Sequence, residues 1–317
     1  MNAVLVAVLL IAAQASSGSY TLATLRPAAE VAMPPIPQKR GARLGEMEEL
    51  GPIITAQSAV VIDVASGAVL FGKQPYVVRP LASITKLLTA LTVVSVSPDW
   101  GASLEVGAAD IPPEGHTVFQ PGDRATAEDL FTAMLVRSDN GAARTLVRGV
   151  GTAEGWFPIA AAARAHRVGL SSLRVSEPSG LAVENRGTAV DAARLLRAAM
   201  AERIIAERLR MSRATITVVR RTPTRIPITS TNMLLRDGIA HAFDVQGGKT
   251  GYLDESGYNL ALSVARGGHE VIVVVLGSAG HEERFRDARL LADWTFQNYV
   301  WTSSTSSSGS GTSASPR

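Results

Sequence analysis

The sequence predicts an α+β fold in which one antiparallel sheet carries an inserted helical subdomain. Two segments rich in β-branched residues, 58–72 and 257–280, each have the pattern of two strands joined by a tight turn. Several amphipathic segments with helix-start residues lie between these two hairpins. Because both hairpins need partners, we expect them to share one sheet on which the two ends of the domain meet.

The first fifty residues predict export. Residues 3–13 form an apolar run that is too short to span a bilayer, and residues 13–15 read Ala-Gln-Ala, the small-x-small pattern of a cleavage site. We therefore predict a signal peptide over 1–15. Residues 16–50 are rich in alanine and proline without a sustained period, which predicts a linker. No Lys or Arg precedes the apolar run, so an uncleaved membrane anchor stays open as the alternative.

Residues 51–301 carry the patterns of the folded domain. The first hairpin turns at an Ala-Ser-Gly triplet, and the second turns at a Gly-Gly pair. Between the hairpins, helices are predicted to start at or near four residues, the last of them running to residue 205. These residues are Ser83, Thr126, Asn140 and Thr188.

The end of the chain changes character. An amphipathic stretch over 282–300 predicts a final helix that returns to cover the sheet. After Trp301 the sequence is dominated by serine, threonine and glycine, with too few apolar side chains to order itself. We therefore predict a disordered tail over 302–317.

Composition excludes several classes of function. The chain has no cysteine, which excludes thiol nucleophiles, disulfide frameworks, iron–sulfur sites and cysteine-based zinc sites, and we predict no metal and no cofactor. The formal net charge is only +3, which argues against a nucleic-acid-binding protein with a dominant basic face. A sequence pI of about 9.4 allows mild attraction to anionic polymers.

Lysine is rare in this chain. Of 31 basic residues 27 are arginines, and the lysines are Lys39, Lys73, Lys86 and Lys249. A buried amine can lose its proton, whereas a guanidinium effectively cannot, so each lysine is a candidate for chemistry. The alternative for each is an ordinary exposed charge, and its neighbours decide between the two.

The first candidate motif is Ser83-x-x-Lys86 at a predicted helix start. Residues three apart on a helix share one face, so the amine can reach the hydroxyl. Burial and the positive end of the helix dipole would both favour the neutral amine, which is the form that can act as a base toward serine. Taken alone, the pair also fits a helix-capping serine followed by a solvated lysine.

Two further motifs follow in the chain. Ser138 and Asn140 interrupt a helical pattern, where they can present a hydroxyl relay and an amide for a substrate carbonyl. Lys249, Thr250 and Gly251 open a strand, where they can supply a fixed charge, a hydroxyl for a substrate carboxylate, and space for an extended peptide. Each motif alone also fits an ordinary turn. All three in this order are improbable by chance, at roughly a few per thousand.

The three motifs and the segments around them, over 57–301, resemble the low-molecular-weight penicillin-binding proteins, the serine D-alanyl-D-alanine carboxypeptidase family. The resemblance implies a penicillin-binding/β-lactamase-like transpeptidase fold. It also implies a penicillin-sensitive peptidase that removes the terminal D-Ala from peptidoglycan stem pentapeptides. Its partners would be those stem peptides, with β-lactams as covalent inhibitors. Such an enzyme works in the periplasm or another extracytoplasmic space.

The resemblance also assigns roles to the motif residues. Ser83 would be the acylated nucleophile, Lys86 its base and Ser138 a second catalytic hydroxyl. The backbone N–H groups of Ser83 and Leu253 would form the oxyanion hole. The remaining motif residues would bind the substrate: Asn140, Lys249, Thr250 and Gly251.

Arg284 is a further candidate for substrate binding. It follows the second hairpin and lies near the start of the last predicted helix, so its side chain can lie beside the strand that begins at Lys249. We expect it to help Lys249 and Thr250 hold the terminal carboxylate of D-Ala-D-Ala. With 27 arginines in the chain, an ordinary surface arginine is the alternative.

Three other functions stay open. The short architecture also resembles the D,D-endopeptidase branch of the family, which cuts cross-bridges. Asp139 in the second motif and the Glu177-Pro178 pair resemble class A β-lactamases, but the downstream Leu-Asn of that pattern is missing. A non-catalytic peptidoglycan-binding protein would be expected to have lost Ser83, Lys86 or Lys249, and all three are present.

Overall fold

The computed structural model describes residues 34–40, 51–151, 155–236 and 242–301. The predicted signal peptide, most of the predicted linker and the predicted tail lie outside these residues. Within the described ranges, no helix has the length and apolar character needed to cross a bilayer.

The described residues form the following strands and α-helices. The strands are β1 (Gln38–Lys39), β2 (Ser58–Asp63), β3 (Val69–Lys73), β4 (Arg79–Pro80), β5 (Ser103–Glu105), β6 (Arg124–Thr126), β7 (Arg186–Gly187), β8 (Arg213–Val219), β9 (Pro223–Thr229), β10 (Asp244–Leu253), β11 (Gly257–Arg266), β12 (His269–Ser278) and β13 (Tyr299–Val300). The α-helices are α1 (Lys86–Ser95), α2 (Ala127–Val136), α3 (Asn140–Val150), α4 (Trp156–Arg167), α5 (Ala189–Ala201), α6 (Arg203–Leu209) and α7 (Glu283–Asn298).

Both predicted hairpins are confirmed, and they share one sheet. Its strand order is β10-β11-β12-β2-β3, and every neighbouring pair is antiparallel. The two ends of the domain meet where β12 pairs with β2, with Val273 opposite Val61. The sheet therefore closes only through contacts between residues more than 200 positions apart in sequence.

The central strands are buried on both faces, which explains their nearly continuous apolar sequence. Val60 and Ile62 of β2 point into the core shared with the helical subdomain, whereas Ala59 and Val61 point into a second core. The second core is completed by α7, which confirms the predicted final helix. The sheet thus lies between α7 on one face and the inserted helices on the other.

The predicted helix starts are confirmed for the three helices that are capped by a side chain. Thr126 accepts a hydrogen bond from the Asp129 N–H at 3.0 Å before α2, and Thr188 forms a reciprocal capping box with Asp191 before α5. α3 begins at Asn140 with Asp139 as its cap. The first helix differs from the prediction, because Ser83 lies in a 3₁₀ turn over Ala82–Thr85 that precedes α1.

The sequence did not predict a second sheet, of order β5-β6-β8-β9, or helix α4. The β8–β9 hairpin escapes detection because its sequence is rich in arginine, threonine and proline, and only a few apolar residues point inward: Ile216, Val218 and Ile228. The single helix expected over 188–205 is broken by extended backbone at Glu202, which separates α5 from α6.

Candidate active site

Ser83 lies on a turn that is held between two glycines. A Cβ at Gly251, in β10, would lie 2.9 Å from the Leu81 carbonyl oxygen and 3.1 Å from the Ser83 nitrogen. A Cβ at Gly180 would overlap the Ala82 carbonyl group. The glycine at 251 thus lets β10 approach the turn, a different reason from the predicted space for substrate. Ala82 itself adopts a strained φ of +49°.

Lys86 occupies the first turn of α1, and its side chain is fully buried. Its Nζ lies 3.0 Å from the Ser83 Oγ and donates to the Asn140 Oδ1 at 2.6 Å. A third hydrogen bond goes to the backbone carbonyl of Ser179. The amide oxygen and the carbonyl can only accept. A neutral amine therefore uses its two N–H groups on them and turns its lone pair toward the serine hydroxyl.

Burial lowers the pKa of the Lys86 amine to about 7, against the opposing effect of the Glu177 and Asp139 carboxylates. An amine with this pKa is neutral in a large fraction of molecules at physiological pH. Lys86 thus meets the condition of burial that a role as a base requires, and a solvated lysine is excluded. The geometry is that of a general base beside a nucleophile.

Glu177 holds the loop that supplies the Ser179 carbonyl. Its carboxylate accepts hydrogen bonds from the backbone N–H groups of Ser179, Gly180 and Leu181 and from the Asn185 Nδ2. Burial raises the pKa of the Glu177 carboxyl, but hydrogen bonds from the Ser179 hydroxyl and from backbone N–H groups of the loop outweigh it and hold the pKa below its usual value. A carboxylate so fully occupied supports a loop and is not positioned to activate water as a lactamase glutamate does.

The second motif is held in a strained turn between α2 and α3. Ser138 has a φ of +64°, and its Oγ accepts a hydrogen bond from the Lys249 Nζ at 2.7 Å. Asp139 is buried and accepts from the Ala142 N–H, the Val118 N–H and the Thr117 hydroxyl. This arrangement fixes the start of α3, which places the side chain of the next residue against Lys86.

Lys249 and Thr250 lie within β10, which begins five residues before Lys249. Lys249 is buried and bridges the Ser138 hydroxyl and the Thr250 carbonyl, the latter at 3.0 Å. The Thr250 Oγ1 lies 2.6 Å from the Oγ1 of Thr231, a contact that the sequence did not predict. The segment before β10 therefore also contributes a hydroxyl to the site.

The sequence predicted a fixed positive charge at Lys249, but the described residues supply no carboxylate that would hold its ammonium form. Burial, followed by the positive charges of Lys86 and Arg284, lowers the pKa of the Lys249 amine well below its usual value. No carboxylate forms an ion pair with it among the described residues. An anion brought to this position would therefore favour the ammonium form.

The geometry corrects the prediction for Leu253. Its N–H donates to the Ser256 Oγ at 3.0 Å in the turn toward β11, so it cannot also serve an oxyanion. Successive N–H groups along a strand point to opposite sides, so the N–H of Tyr252 faces the other side. That side is open, because β10 is the outer strand of its sheet. The backbone N–H available on the open side of β10 is therefore that of Tyr252, one residue before the predicted Leu253.

Arg284 is buried in the first turn of α7, so the surface alternative is excluded. Its Nη1 donates to the Gly251 carbonyl at 3.2 Å, and its guanidinium lies over the rings of Tyr258 and Phe285. Burial lowers the pKa of Arg284 to about 10, so the group stays charged near neutral pH. Its charge is close enough to lower the pKa of Lys249, as predicted from its place in the chain.

The structure brings the predicted residues together in two connected groups. Ser83, Lys86 and Asn140 share one set of hydrogen bonds, while Lys249 links Ser138 to β10. The two lysines are coupled through the effect of Lys86 on the pKa of Lys249. No direct hydrogen bond joins Ser138 to Ser83 or Lys86 within the described ranges, so the predicted hydroxyl relay is not seen.

The family model described as D-alanyl-D-alanine carboxypeptidase, peptidase family S11, matches residues 46–280. The chain belongs to this family. The match spans all three motifs and every strand of the main sheet. The predicted family is therefore confirmed.

Members of this family with established names are similar over most of their length. A D-alanyl-D-alanine endopeptidase of Pseudomonas aeruginosa is 30% identical over 244 residues, which cover 76% of this chain and 77% of that protein. The D-alanyl-D-alanine carboxypeptidase DacB2 of Mycobacterium tuberculosis is 29% identical over 252 residues, which cover 76% and 82%. Relatives named as endopeptidases are 29–33% identical to this chain and relatives named as carboxypeptidases 25–29%, so both branches are similar to it and the endopeptidases somewhat more so.

A solved structure confirms the predicted transpeptidase fold. Penicillin-binding protein D2 from Listeria monocytogenes, in its cefotaxime-bound form, superimposes with a TM-score of 0.68 and 28% identity. The similarity covers 78% of this chain and 99% of that chain.

The contact between Gly180 and the Ser83 turn can be tested by adding one methyl group. Gly180→Ala should lower the free energy of unfolding and slow labelling by a fluorescent penicillin, because the Cβ would displace the Ala82 carbonyl. Gly169→Ala is the control: both glycines have positive φ, but a Cβ at Gly169 meets nothing within 4 Å. The control should cost about 1 to 2 kcal/mol and leave labelling unchanged. Equal effects of the two variants in urea unfolding and labelling would contradict the contact.

Proposed function

We propose that this protein is a serine D,D-carboxypeptidase that removes the terminal D-alanine from peptidoglycan stem pentapeptides through an acyl-enzyme on Ser83. The family provides the class of reaction. The observation that carries the assignment of residues is the buried amine of Lys86, which has a pKa of about 7 and lies 3.0 Å from the Ser83 hydroxyl. The reaction takes place outside the cytoplasm, where that substrate is found.

Acylation begins with proton transfer from the Ser83 hydroxyl to neutral Lys86. The Ser83 oxygen attacks the carbonyl carbon of the D-Ala-D-Ala peptide bond, and the carbonyl oxygen becomes the oxyanion of a tetrahedral intermediate. The backbone N–H groups of Ser83 and Tyr252 are the donors that would stabilise this charge. Asn140, whose Oδ1 is occupied by Lys86, can offer its Nδ2 to a carbonyl of the stem peptide.

The second half of the reaction reverses the direction of the proton. The Lys86 ammonium returns its proton to the leaving D-alanine nitrogen as the peptide bond breaks, which leaves an ester on Ser83. Water then attacks the ester while Lys86 accepts a proton from it, and Lys86 returns that proton to the Ser83 oxygen as the ester bond breaks, which regenerates the serine hydroxyl and the neutral amine. The same amine thus serves as base and then as acid in acylation and again in deacylation. These proton transfers need no side chain beyond Ser83 and Lys86.

The cationic side of the site is suited to the terminal carboxylate of the substrate. Lys249 and Thr250 lie on β10, and Arg284 touches the carbonyl of Gly251 on the same strand. Lys249 forms no ion pair with a carboxylate among the described residues, so the carboxylate of the substrate would be its counter-ion. Its arrival would raise the lowered pKa of Lys249 and hold the ammonium form.

D,D-endopeptidase action on cross-bridges is the second candidate. It is favoured by the names of several relatives, including the endopeptidase of Pseudomonas aeruginosa. Both activities would use Ser83 and Lys86 and would differ in the leaving group. A purified cross-linked dimer and a free pentapeptide, compared at equal concentration, decide between them by their kcat/KM values.

The acyl-enzyme is tested by mass spectrometry after treatment with benzylpenicillin. We expect a single adduct on the peptide that contains Ser83, because Ser83 has a neutral amine within hydrogen-bond distance. Ser83→Ala should not be labelled, while Ser95→Ala, a change at the far end of α1, should be labelled as the wild type is. An adduct on any other serine would overturn the assignment.

The role of Lys86 predicts the pH dependence of acylation. The reactive form is the neutral amine, whose fraction rises with pH, so kcat/KM should rise about tenfold per unit below pH 7, and that rise should end near pH 7. Lys86→Arg should lower kcat/KM by roughly 10²-fold or more, because a guanidinium stays protonated. Lys39→Arg makes the same change at an exposed position and should have no effect. An active Lys86→Arg enzyme would contradict Lys86 as the base.

The role of Arg284 is tested by changing the substrate together with the enzyme. Arg284→Met keeps an unbranched apolar stem but removes the charge. It should lower kcat/KM by roughly tenfold on a peptide ending in D-Ala-D-Ala carboxylate, the value of one charge-assisted hydrogen bond. On the matching carboxamide the variant and wild type should be equal. Arg286→Met, at an exposed position in the same helix, is the control. If kcat/KM falls equally on the carboxylate and the carboxamide substrates, Arg284 does not bind the terminal carboxylate.

A further inference from the structure

The β8–β9 hairpin carries an unusual run of positive charge. Residues 210–236 contain six arginines and neither aspartate nor glutamate. The chain as a whole is nearly balanced, with 31 basic and 28 acidic residues. The imbalance is therefore local to this hairpin and the segments that flank it.

The strand register places the charges of the hairpin on its outer face. Arg213 pairs with Thr229, and Arg225 pairs with Thr217, and all four residues are exposed. The inward-pointing residues of the same two strands, Ile216, Val218 and Ile228, are buried against the body of the domain. Because side chains alternate along a strand, Arg213 and Arg225 share the face opposite to that buried row, while Arg221 is exposed at the turn between the strands.

Several of these arginines have no carboxylate to neutralise them. Arg220, at the turn, is bound to Asp123, and Arg210 donates to the Gln246 carbonyl. The other four form no ion pair with any part of the chain that the structure describes, and three of them lie on the hairpin itself. These three, which we call the arginine face, are Arg213, Arg221 and Arg225.

The hairpin begins beside the candidate active site. At its base the Ser230 N–H donates to the Ser212 carbonyl at 2.9 Å, and the next residue, Thr231, contacts the Thr250 hydroxyl at 2.6 Å. Each strand has seven residues, so the hairpin extends roughly 20 Å from that base. Arg213 lies near the base, and Arg221 lies at the tip.

We propose that the arginine face binds carboxylates of the polymeric peptidoglycan that carries the scissile stem peptide, an inference that rests on the proposed function. A substrate held at Thr250 is one unit of a polymer, and its neighbouring units bear further carboxylates that can reach along the hairpin. Positive charge without internal counter-ions is complementary to such a polymer. The enzyme then acts on assembled wall material in preference to short soluble peptides.

An anionic membrane is the less favoured partner for this face. Segments that bind the surface of a membrane combine basic residues with exposed apolar side chains that enter the bilayer. None of the large exposed apolar side chains of the described chain lies within 210–229. The face is polar and basic between its arginines, where threonine and proline are exposed.

The test compares two triple variants with the same change in charge. One carries Arg213→Gln, Arg221→Gln and Arg225→Gln. The control carries Arg167→Gln, Arg194→Gln and Arg266→Gln, three exposed arginines elsewhere that form no ion pair with the described residues. Each triple is made in the wild-type chain and, for binding, with Ser83→Ala to prevent turnover. Binding is measured by sedimentation with purified insoluble peptidoglycan, with the same material after its carboxylates have been amidated, and with vesicles of phosphatidylglycerol and phosphatidylcholine.

The first triple should lower affinity for untreated peptidoglycan roughly threefold or more, as expected for the loss of three exposed ion pairs, and the loss should shrink with added salt. The control triple should bind as the parent does, and amidated peptidoglycan should bind all three proteins equally. Labelling by a fluorescent penicillin and kcat/KM on a soluble pentapeptide should be unchanged in the first triple, which shows that it is folded.

Other outcomes overturn the proposal. If the first triple binds peptidoglycan as the parent does, the arginine face does not bind it. If the control triple loses as much affinity as the first, the loss comes from net charge alone. Loss confined to the vesicles assigns the face to a membrane. Binding by the Ser83→Ala proteins does not depend on catalysis. A wild type that binds peptidoglycan through the face but cleaves no D-Ala-D-Ala peptide would therefore refute the proposed function separately.

Discussion

The burial of one amine organises this site. Lys86 is removed from water, and its nitrogen is satisfied only by oxygens that come from separate parts of the chain, on Ser83, Asn140 and Ser179. A buried amine without such partners would be strongly destabilising. The turn before α1, the start of α3 and the loop after Glu177 must therefore converge for the fold to tolerate this lysine. The same convergence that satisfies the amine also lowers its proton affinity and aims it at the serine.

Local strain accompanies this convergence. Ala82 and Ser138, each beside or within a motif, adopt positive φ angles that non-glycine residues rarely occupy. The surrounding structure over-determines both: Gly180 and Gly251 leave no space for the first turn to relax, and Asp139 anchors the second. Lys249 adds an electrostatic cost, because it is buried near the positive charge of Lys86 and forms no ion pair with the described residues. The stability lost at these points is compensated by the two apolar cores on either side of the sheet.

The sequence predicted what depends on side-chain identity at short spacing. Ser83 and Lys86 lie three residues apart, and the hairpins have dense β-branched runs, so both were recognisable. It could not predict groups that act through the backbone or through distant packing. The Ser179 carbonyl could belong to any residue type, and the contact of Thr231 with Thr250 depends on how the second sheet meets β10. The sequence also could not predict that the Leu253 N–H is used by the Ser256 hydroxyl, because that contact depends on the turn into β11.

The pairing of β12 with β2 has a consequence for the order in which the protein can be completed. β2 is made early in synthesis, but its partner lies near the end of the domain, so the sheet cannot close until almost the whole domain has been made. Until then β2 exposes one unpaired edge and an apolar face, a template for association with other chains. The turn that carries Ser83 and Lys86 is made early, whereas β10 is made with the last strands. A chain interrupted before them would therefore be an aggregation hazard and could not become a partially active enzyme.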